Sequence, residues 1–482
     1  MRRTLITLAL GALSLAGCAD GIGPVPEATV PASAEGQFVG GGDGPYQLAE
    51  PPPFWWRLYE DPVLDNLVTQ AFAANTDLRI AAANLRQVRS ALGVAESELW
   101  PSTSVSGNAG YGRQSATVVA PDSSGPLDAE QQYSVGFDIS YELDLFGRVE
   151  NTVAAAEADV AAAQAALDVV RVSVAAETAR AYADICAAND QIRVAERNVA
   201  LQQRTYDLTQ AQLSEGVTTQ LDVARAAAAL ETTRATIPPL EAARQSALFR
   251  LATLTGRTPA EASAEAKACT TVPQIRSALP IGDGASLIAR RPDIRQAERA
   301  LAAAASRVGV AVADLYPRIT LGGSLSTSAL RIGDLVDDRA LAFQVGPLIT
   351  WSFPNMAAAR ARLAGAEAGA EAALARFDQT VLVALQEVET ALANYASELR
   401  RRQILAAARD QAAAAVDFAR TRFEAGADSF LTVLDADRSL AEAEAALAQS
   451  DALISAYQIA LFKALGGGWQ DAAAVGPVAS AD

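Results

Sequence analysis

Two periodicities divide this chain. In Tyr133-Ser134-Val135-Gly136-Phe137-Asp138-Ile139-Ser140-Tyr141-Glu142, apolar positions alternate strictly with small or charged ones. A later segment does the same, with Phe343, Val345, Ile349, Trp351 and Phe353 on one face and Gln344, Gly346, Thr350 and Ser352 on the other. Weaker alternation runs through 105–111 and 319–325, each time after an aromatic-proline pair, Trp100-Pro101 and Tyr316-Pro317. Period two predicts β-strands with one apolar and one polar face. Runs of about ten residues are what a tilted strand needs to cross a bilayer. A half-buried sheet in a soluble protein would alternate in the same way, so the strands alone leave both settings open.

The helical pattern narrows the choice. Over 149–213, and again over 357–424, no proline interrupts an Ala-, Glu- and Arg-rich sequence. Alanine is the strongest helix former and lets neighbouring helices approach closely. About 65 residues at 1.5 Å each make a rod of roughly 100 Å. Each rod ends at a glycine suited to a left-handed C-cap, Gly216 and Gly426. Thr218 or Thr219, and Asp428 or Ser429, then offer N-caps for a returning long helix.

These landmarks recur at a constant interval. Val135-Gly136 returns as Val345-Gly346, Glu157 as Glu367, Glu177 as Glu387, Gly216 as Gly426, Leu221 as Leu431 and Gly256 as Gly466. The chain is therefore read as a duplication of one unit: helix, strand, strand, long helix, turn, long helix. Four amphipathic strands cannot close a ring on themselves, and hydrocarbon does not tolerate open strand edges. Two chains would give eight strands and a barrel filled by side chains, whereas three would give twelve and a lumen.

Composition removes several functions. Histidine is absent, which takes away the commonest general base and metal ligand. There is no phosphate-binding loop and no CxxC pair, and Gly40-Gly41-Gly42 and Gly466-Gly467-Gly468 read as punctuation. No catalytic residue, metal site or cofactor is expected. A net charge of −17 disfavours nucleic acid as a partner. Past the N-terminus, no stretch of 18 uncharged apolar residues predicts a transmembrane helix.

The N-terminus supplies an address. Arg2 and Arg3 precede an apolar run over 5–13, too short to span a bilayer but suited to a signal peptide. Leu15-Ala16-Gly17-Cys18 follows, the pattern of a bacterial lipobox, which makes 1–17 the signal peptide and Cys18 the lipidation site. Ala19 at the next position favours export to the outer membrane. The two other cysteines, Cys186 and Cys269, would meet an oxidising periplasm, which permits a disulfide between them but does not require one.

Taken together, the landmarks resemble those of TolC-like outer-membrane efflux proteins, in particular the NodT-type lipoprotein branch that serves resistance-nodulation-division pumps. The matching pieces are the lipobox, Trp55-Trp56 with Asp61-Pro62, Tyr141-Glu142-Leu143-Asp144-Leu145-Phe146-Gly147-Arg148, Ala289-Arg290-Arg291-Pro292-Asp293-Ile294-Arg295, Leu315-Tyr316-Pro317 and the tip over 426–435. The resemblance covers nearly the whole mature chain apart from a Gly/Pro-rich stretch over 19–53 and the last dozen or so residues.

The resemblance implies an α+β membrane protein: a trimeric 12-stranded β-barrel, four strands per chain, continued by a 12-helix periplasmic α-barrel. The corresponding division is a lipid-anchored linker over 18–53, a first efflux repeat over 54–256, an equatorial segment over 257–285, a second repeat over 286–468 and a tail over 469–482. Cys186 and Cys269 would both lie near that equator. Such a channel does no chemistry and carries no cofactor beyond the lipid on Cys18. It is a passive exit duct for drugs or other small solutes, driven by an inner-membrane pump. The partners implied are two further copies of the chain, a periplasmic adaptor, the pump and outer-membrane lipid.

The periplasmic gate carries over onto Leu431 and Asp435, with Asp222 beside it. Three copies of Leu431 would make an apolar constriction. Three copies of Asp435 would make an anionic ring that raises its own pKa values and attracts cations. The adaptor would dock at the hairpin tips marked by Gly216 and Gly426. Relatives tie the gate shut with a tyrosine and a basic residue where this chain has Phe423 and Asp428, so Arg420 and Arg422 become the candidates for a different tie. Two other uses of the same features stay open: a duct for type I protein secretion, and a periplasmic scaffold lipoprotein that forms no channel.

Overall fold

In a computed structural model, residues 28–470 are described apart from 43, 116–121 and 123–124. In chain order the elements are β1 (Tyr46–Gln47), α1 (Pro62–Ala74), α2 (Thr76–Ser97), β2 (Ser102–Gly112), β3 (Glu130–Leu143), α3 (Arg148–Ser214), α4 (Gln220–Arg234) and α5 (Ile237–Leu254). Then follow β4 (Leu279–Pro280), α6 (Gly284–Arg290), α7 (Pro292–Ala313), β5 (Arg318–Ala329), β6 (Leu341–Thr350), α8 (Ala357–Glu424) and α9 (Phe430–Ala464). The duplication is visible element by element. Helices α2 and α7 have 22 residues each, and α3 and α8 have 67 and 68. One correction concerns the returning helix of the first repeat. It is broken into α4 and α5, because Pro238 and Pro239 cannot donate the backbone hydrogen bonds an unbroken helix needs. Among the described residues no helix is long and apolar enough to cross a membrane.

The chain divides into two compact units, each drawing on both repeats. One comprises Leu85–Ala162 and Ala297–Phe377 and holds an antiparallel sheet of order β2-β3-β5-β6, so β2 and β6 are its edges. The register aligns the faces across all four strands. Val105 pairs with Phe137, Phe137 with Leu325 and Leu325 with Phe343, an apolar row that is 42–78% exposed. The adjacent row is polar: Ser104, Asp138, Ser324 and Gln344. A second correction falls here. Trp351 and Phe353, expected on the β6 face, lie beyond its end, where they stack at 4.7 Å. The last pair of the ladder is Arg318 with Thr350, and the next residue back on the partner strand is Pro317, which has no N–H to extend it.

A connected set of ion pairs occupies the strand-to-helix corner of this unit. The Glu142 carboxylate accepts from Arg148 Nε at 2.7 Å and Nη2 at 2.9 Å, and Arg148 Nη2 also donates to Glu98 at 2.8 Å. Arg318 stands 3.7 Å from both Glu142 and Asp314, and Arg362 stands 3.5 Å from Asp314. The Asp144 carboxylate accepts the Glu150 N–H at 2.8 Å in the first turn of α3, and Phe146 stacks on Tyr316 at 4.7 Å. Glu142, Asp144, Phe146 and Arg148 of the 141–148 motif thus each have a structural task in one corner. Singly, exposed ion pairs contribute little, but a half-buried network with bidentate geometry holds its members in one arrangement.

The other unit, Thr29–Asn84, Ala163–Gln296 and the chain from Asp378 onward, contains the principal apolar core. Trp55 is fully buried and stacks on Phe462 at 5.1 Å. Asp61 caps α1 by accepting the Val63 and Leu64 N–H groups, while its other oxygen accepts the Tyr182 hydroxyl at 2.8 Å. The N-terminal stretch is docked from about residue 34 onward. Glu389 accepts the N–H groups of Val39 and Gly40, Tyr46 donates to the Leu392 carbonyl, and β1 pairs in parallel with β4.

The segment carrying β4 is fixed from two sides. A disulfide joins Cys269 to the buried Cys186 of α3. Buried Gln458 of α9 accepts the Ile275 N–H and donates to the Ile275 carbonyl. The bridge closes a sequence separation of 83 residues, for which chain entropy predicts a stabilisation of roughly 4–5 kcal/mol at most. Replacing both cysteines by serine is expected to lower the free energy of unfolding of this unit by about 2–4 kcal/mol, measured by urea denaturation against the oxidised wild type.

Candidate gate at the hairpin tips

Each long hairpin turns through a glycine that only a residue without Cβ accommodates easily. Gly216 and Gly426 have φ of 73° and 72°. Val217 N–H reaches the Gln212 carbonyl at 2.9 Å and Ala427 N–H reaches the Arg422 carbonyl at 2.8 Å, the six-to-one bond that terminates a helix in this way. Open space surrounds both glycines.

Thr219 caps α4 and Asp222 completes the capping box. The Asp222 carboxylate accepts from the Thr219 hydroxyl at 2.6 Å, the Thr219 N–H at 3.2 Å and the Thr218 hydroxyl at 3.1 Å. The Thr219 hydroxyl first, then its N–H, Thr218 and Arg225, hold this acid below the usual aspartate range. Asp222 therefore has a complete local role in its own turn. Among the described residues no hydrogen bond or ion pair joins it to Asp435.

At the second tip, Arg422 grips Asp428 with two bonds of 2.6 and 3.1 Å, and the Arg422 guanidinium holds the Asp428 carboxyl below its ordinary value. Asp428 is thereby committed, and Ser429 is the N-cap of α9 by backbone geometry alone. Phe423 packs against Phe430 with ring centres 5.6 Å apart. An acid-base pair and an aromatic pair thus bridge the turn.

Leu431 and Asp435 stand one turn apart on α9 and share an exposed face. Leu431 is 51% exposed, and the Asp435 carboxylate is paired with Arg438 at 2.6 Å. The opposite face carries Phe430, Val433 and Asp437, all buried. The Asp437 side chain is only 4% exposed and accepts from Arg420 at 2.9 Å and from Thr205 of α3 at 3.4 Å. This contact was not anticipated, although the signal exists: a carboxylate at the third position of an i, i+3, i+7 apolar stripe must find a partner. Both suspected arginines thus make ties, one across the turn and one into the hairpin interior. Cys18 lies outside the described residues, as do 1–17 and 471–482. Among the described residues no group of three or more His, Cys, Asp or Glu side chains is placed to hold a metal.

Burial pushes the Asp437 carboxyl up, against the opposing pull of Arg420 and Thr205. A group whose folded-state pKa is raised stabilises the fold below its unfolded value and loses that contribution as pH rises through the folded value. Amide hydrogen exchange over 425–440, corrected for intrinsic rates, is expected to show progressively weaker protection as pH rises above the ordinary aspartate range. Asp437→Asn is expected to flatten that slope. An identical slope in the variant would assign it to another group.

Comparison with known proteins agrees with this architecture. A family model described as "Outer membrane efflux protein" matches residues 67–257 and 285–467. The pyoverdine export outer membrane protein OpmQ of Pseudomonas putida is 31% identical over 430 residues, covering 88% of this chain and 89% of that one. Nodulation protein T of Rhizobium leguminosarum bv. trifolii is 29% identical over 453 residues, covering 90% and 91%. Among solved structures, the outer-membrane channel OprN superposes with a TM-score of 0.86 at 36% identity, covering 93% of this chain and 99% of that one. With its duplicated strand-and-hairpin units and matches across nearly its whole length, the chain belongs to the outer membrane efflux protein family.

Proposed function

We propose that three copies of this chain form the outer-membrane duct of a tripartite efflux system that exports drugs or other small solutes. The observation that carries the reading is the open four-stranded sheet: two unpaired edges, and an apolar face without a charged side chain among the described residues. In hydrocarbon both edges must be paired. Pairing β6 of one copy with β2 of the next closes twelve strands, and the two hairpins of each copy then contribute to a twelve-helix periplasmic tunnel. Residues 1–17 act as signal peptide, Cys18 carries the lipid, 18–53 lead into the fold, 257–285 form part of an equatorial belt between the repeats, and 469–482 are the tail.

The duct is passive. No group in it is assigned a catalytic role or a cofactor other than the lipid, and energy comes from a resistance-nodulation-division pump joined through a periplasmic adaptor at the tips around Gly216 and Gly426. At the periplasmic end, exposed Leu431 and Asp435 from three copies converge as an apolar constriction and an anionic ring. The Arg422–Asp428 and Arg420–Asp437 ties hold the second hairpin in one arrangement. Relatives named for pyoverdine export and for toluene and antibiotic efflux support a small-solute cargo over a secreted protein.

The gate is tested in planar bilayers. Leu431→Ala and Asp435→Asn are expected to raise single-channel conductance severalfold over wild type, whereas unchanged conductance in both would place the constriction elsewhere. The export reading is tested in cells that have no other such channel. Deleting the gene is expected to increase retention of a fluorescent pump substrate, and re-expression to reverse it. Equal retention with and without the gene would contradict the reading.

A further inference from the structure

The sheet has one feature that neither folding nor closure explains. Its apolar face has no charged residue in any of the four strands among the described residues. Its polar face has few. Glu130 opens β3 at one end. At the other end Glu142 and Arg318 belong to the corner network with Arg148. Between them stands Asp138, one residue in from the middle of β3.

Asp138 is exposed and has no hydrogen-bond or ion-pair partner among the described residues. Its cross-strand neighbours are Ser104 on one side and Ser324 on the other, with Gln344 next in the same row. The rows above and below are Ser106, Gly136, Ser326 and Ala342, and Ser102, Ser140, Gly322 and Gly346. Among the described residues no ion pair reaches it, and along the strand Glu142 of the corner network lies roughly 14 Å away. Asp is also among the poorest strand formers, and an unpartnered carboxylate adds nothing to sheet pairing.

We infer that Asp138 sets the charge preference of the β-barrel lumen, biasing the duct toward cationic solutes and against anionic ones. The inference rests on the barrel reading above, which turns the polar face inward and repeats Asp138 at one height around the ring. Walls of small hydroxyl and glycine residues leave that height wide and wet. Low-dielectric surroundings focus the field of the three carboxylates into the lumen. With a Debye length near 8 Å at physiological ionic strength, their potential reaches a substantial part of the lumen. The site imposes no shape, so it selects by charge: protonated amines are favoured, carboxylates and sulfonates are not.

The test is the K⁺/Cl⁻ permeability ratio, from reversal potentials across planar bilayers under a salt gradient. The background is Asp435→Asn, so that the charge assigned to the gate does not mask the barrel. At about 0.1 M salt, adding Asp138→Asn is expected to lower the ratio by at least roughly threefold, and Asp138→Lys to reverse the preference. At about 1 M, where the Debye length falls to roughly 3 Å, the variants are expected to converge. Every variant is first checked for the heat-modifiable oligomer, so that a failure of folding is not read as a change in selectivity. Conducting oligomers whose ratio ignores both substitutions would overturn the inference alone. A wild-type chain that forms no conducting oligomer would overturn the barrel reading and this inference with it.

Discussion

A sheet that cannot finish itself is the constraint on which this protein depends. Strands β2 and β6 present unpaired backbone donors and acceptors, and the apolar row Val105, Phe137, Leu325, Phe343 lies bare in the single chain. In water such an arrangement would aggregate; in hydrocarbon each unpaired amide or carbonyl costs several kcal/mol. In the duct proposed above both problems have one solution, in which identical neighbours supply the missing strands and lipid covers the bare face. On that proposal oligomerisation completes the sheet, and duplication is the way one chain supplies four strands where a single unit would supply two.

The rest of the structure keeps that sheet and the helices in fixed registers. At the corner, Glu142 and Arg148 anchor an acid-base chain that extends to Glu98, Arg318, Asp314 and Arg362, so the strands cannot twist without breaking several contacts together. In the other unit, Trp55 on Phe462 and Tyr182 on Asp61 fasten the N-terminal helices to the long ones. The Cys186–Cys269 bridge and Gln458 fasten the 257–281 segment. At the second tip the turn is bridged by one bidentate pair, one buried acid and one aromatic pair. That distribution fits the proposed gate, which would be held by a small number of breakable contacts.

Much of this was readable from the residues. Strict period-two alternation fixed the existence and faces of β3, and an unbroken helical pattern placed α3 and α8 to within a residue of their ends. The failures have physical causes. A single long return helix in the first repeat is interrupted by Pro238-Pro239. The alternation of β6 runs on through Trp351 and Phe353, but Pro317 opposite ends the pairing. Residues 34–47 dock largely through their own backbone groups, to β4 and to the Glu389 carboxylate, which leaves little side-chain pattern in that stretch to read. The proposed gate residues Leu431 and Asp435 have no signal of their own in the sequence, because an exposed i, i+4 pair on a helix looks like any solvated face. Asp437 could have been found, since a carboxylate in an apolar stripe always calls for a partner.

The most direct test of the account is native mass spectrometry of the protein extracted from outer membranes in mild detergent. The account predicts a complex of three chains and no stable folded monomer. A monomer, or a dimer whose eight strands would leave no lumen, would contradict it, and a monomer released without detergent would leave a periplasmic scaffold as the better description.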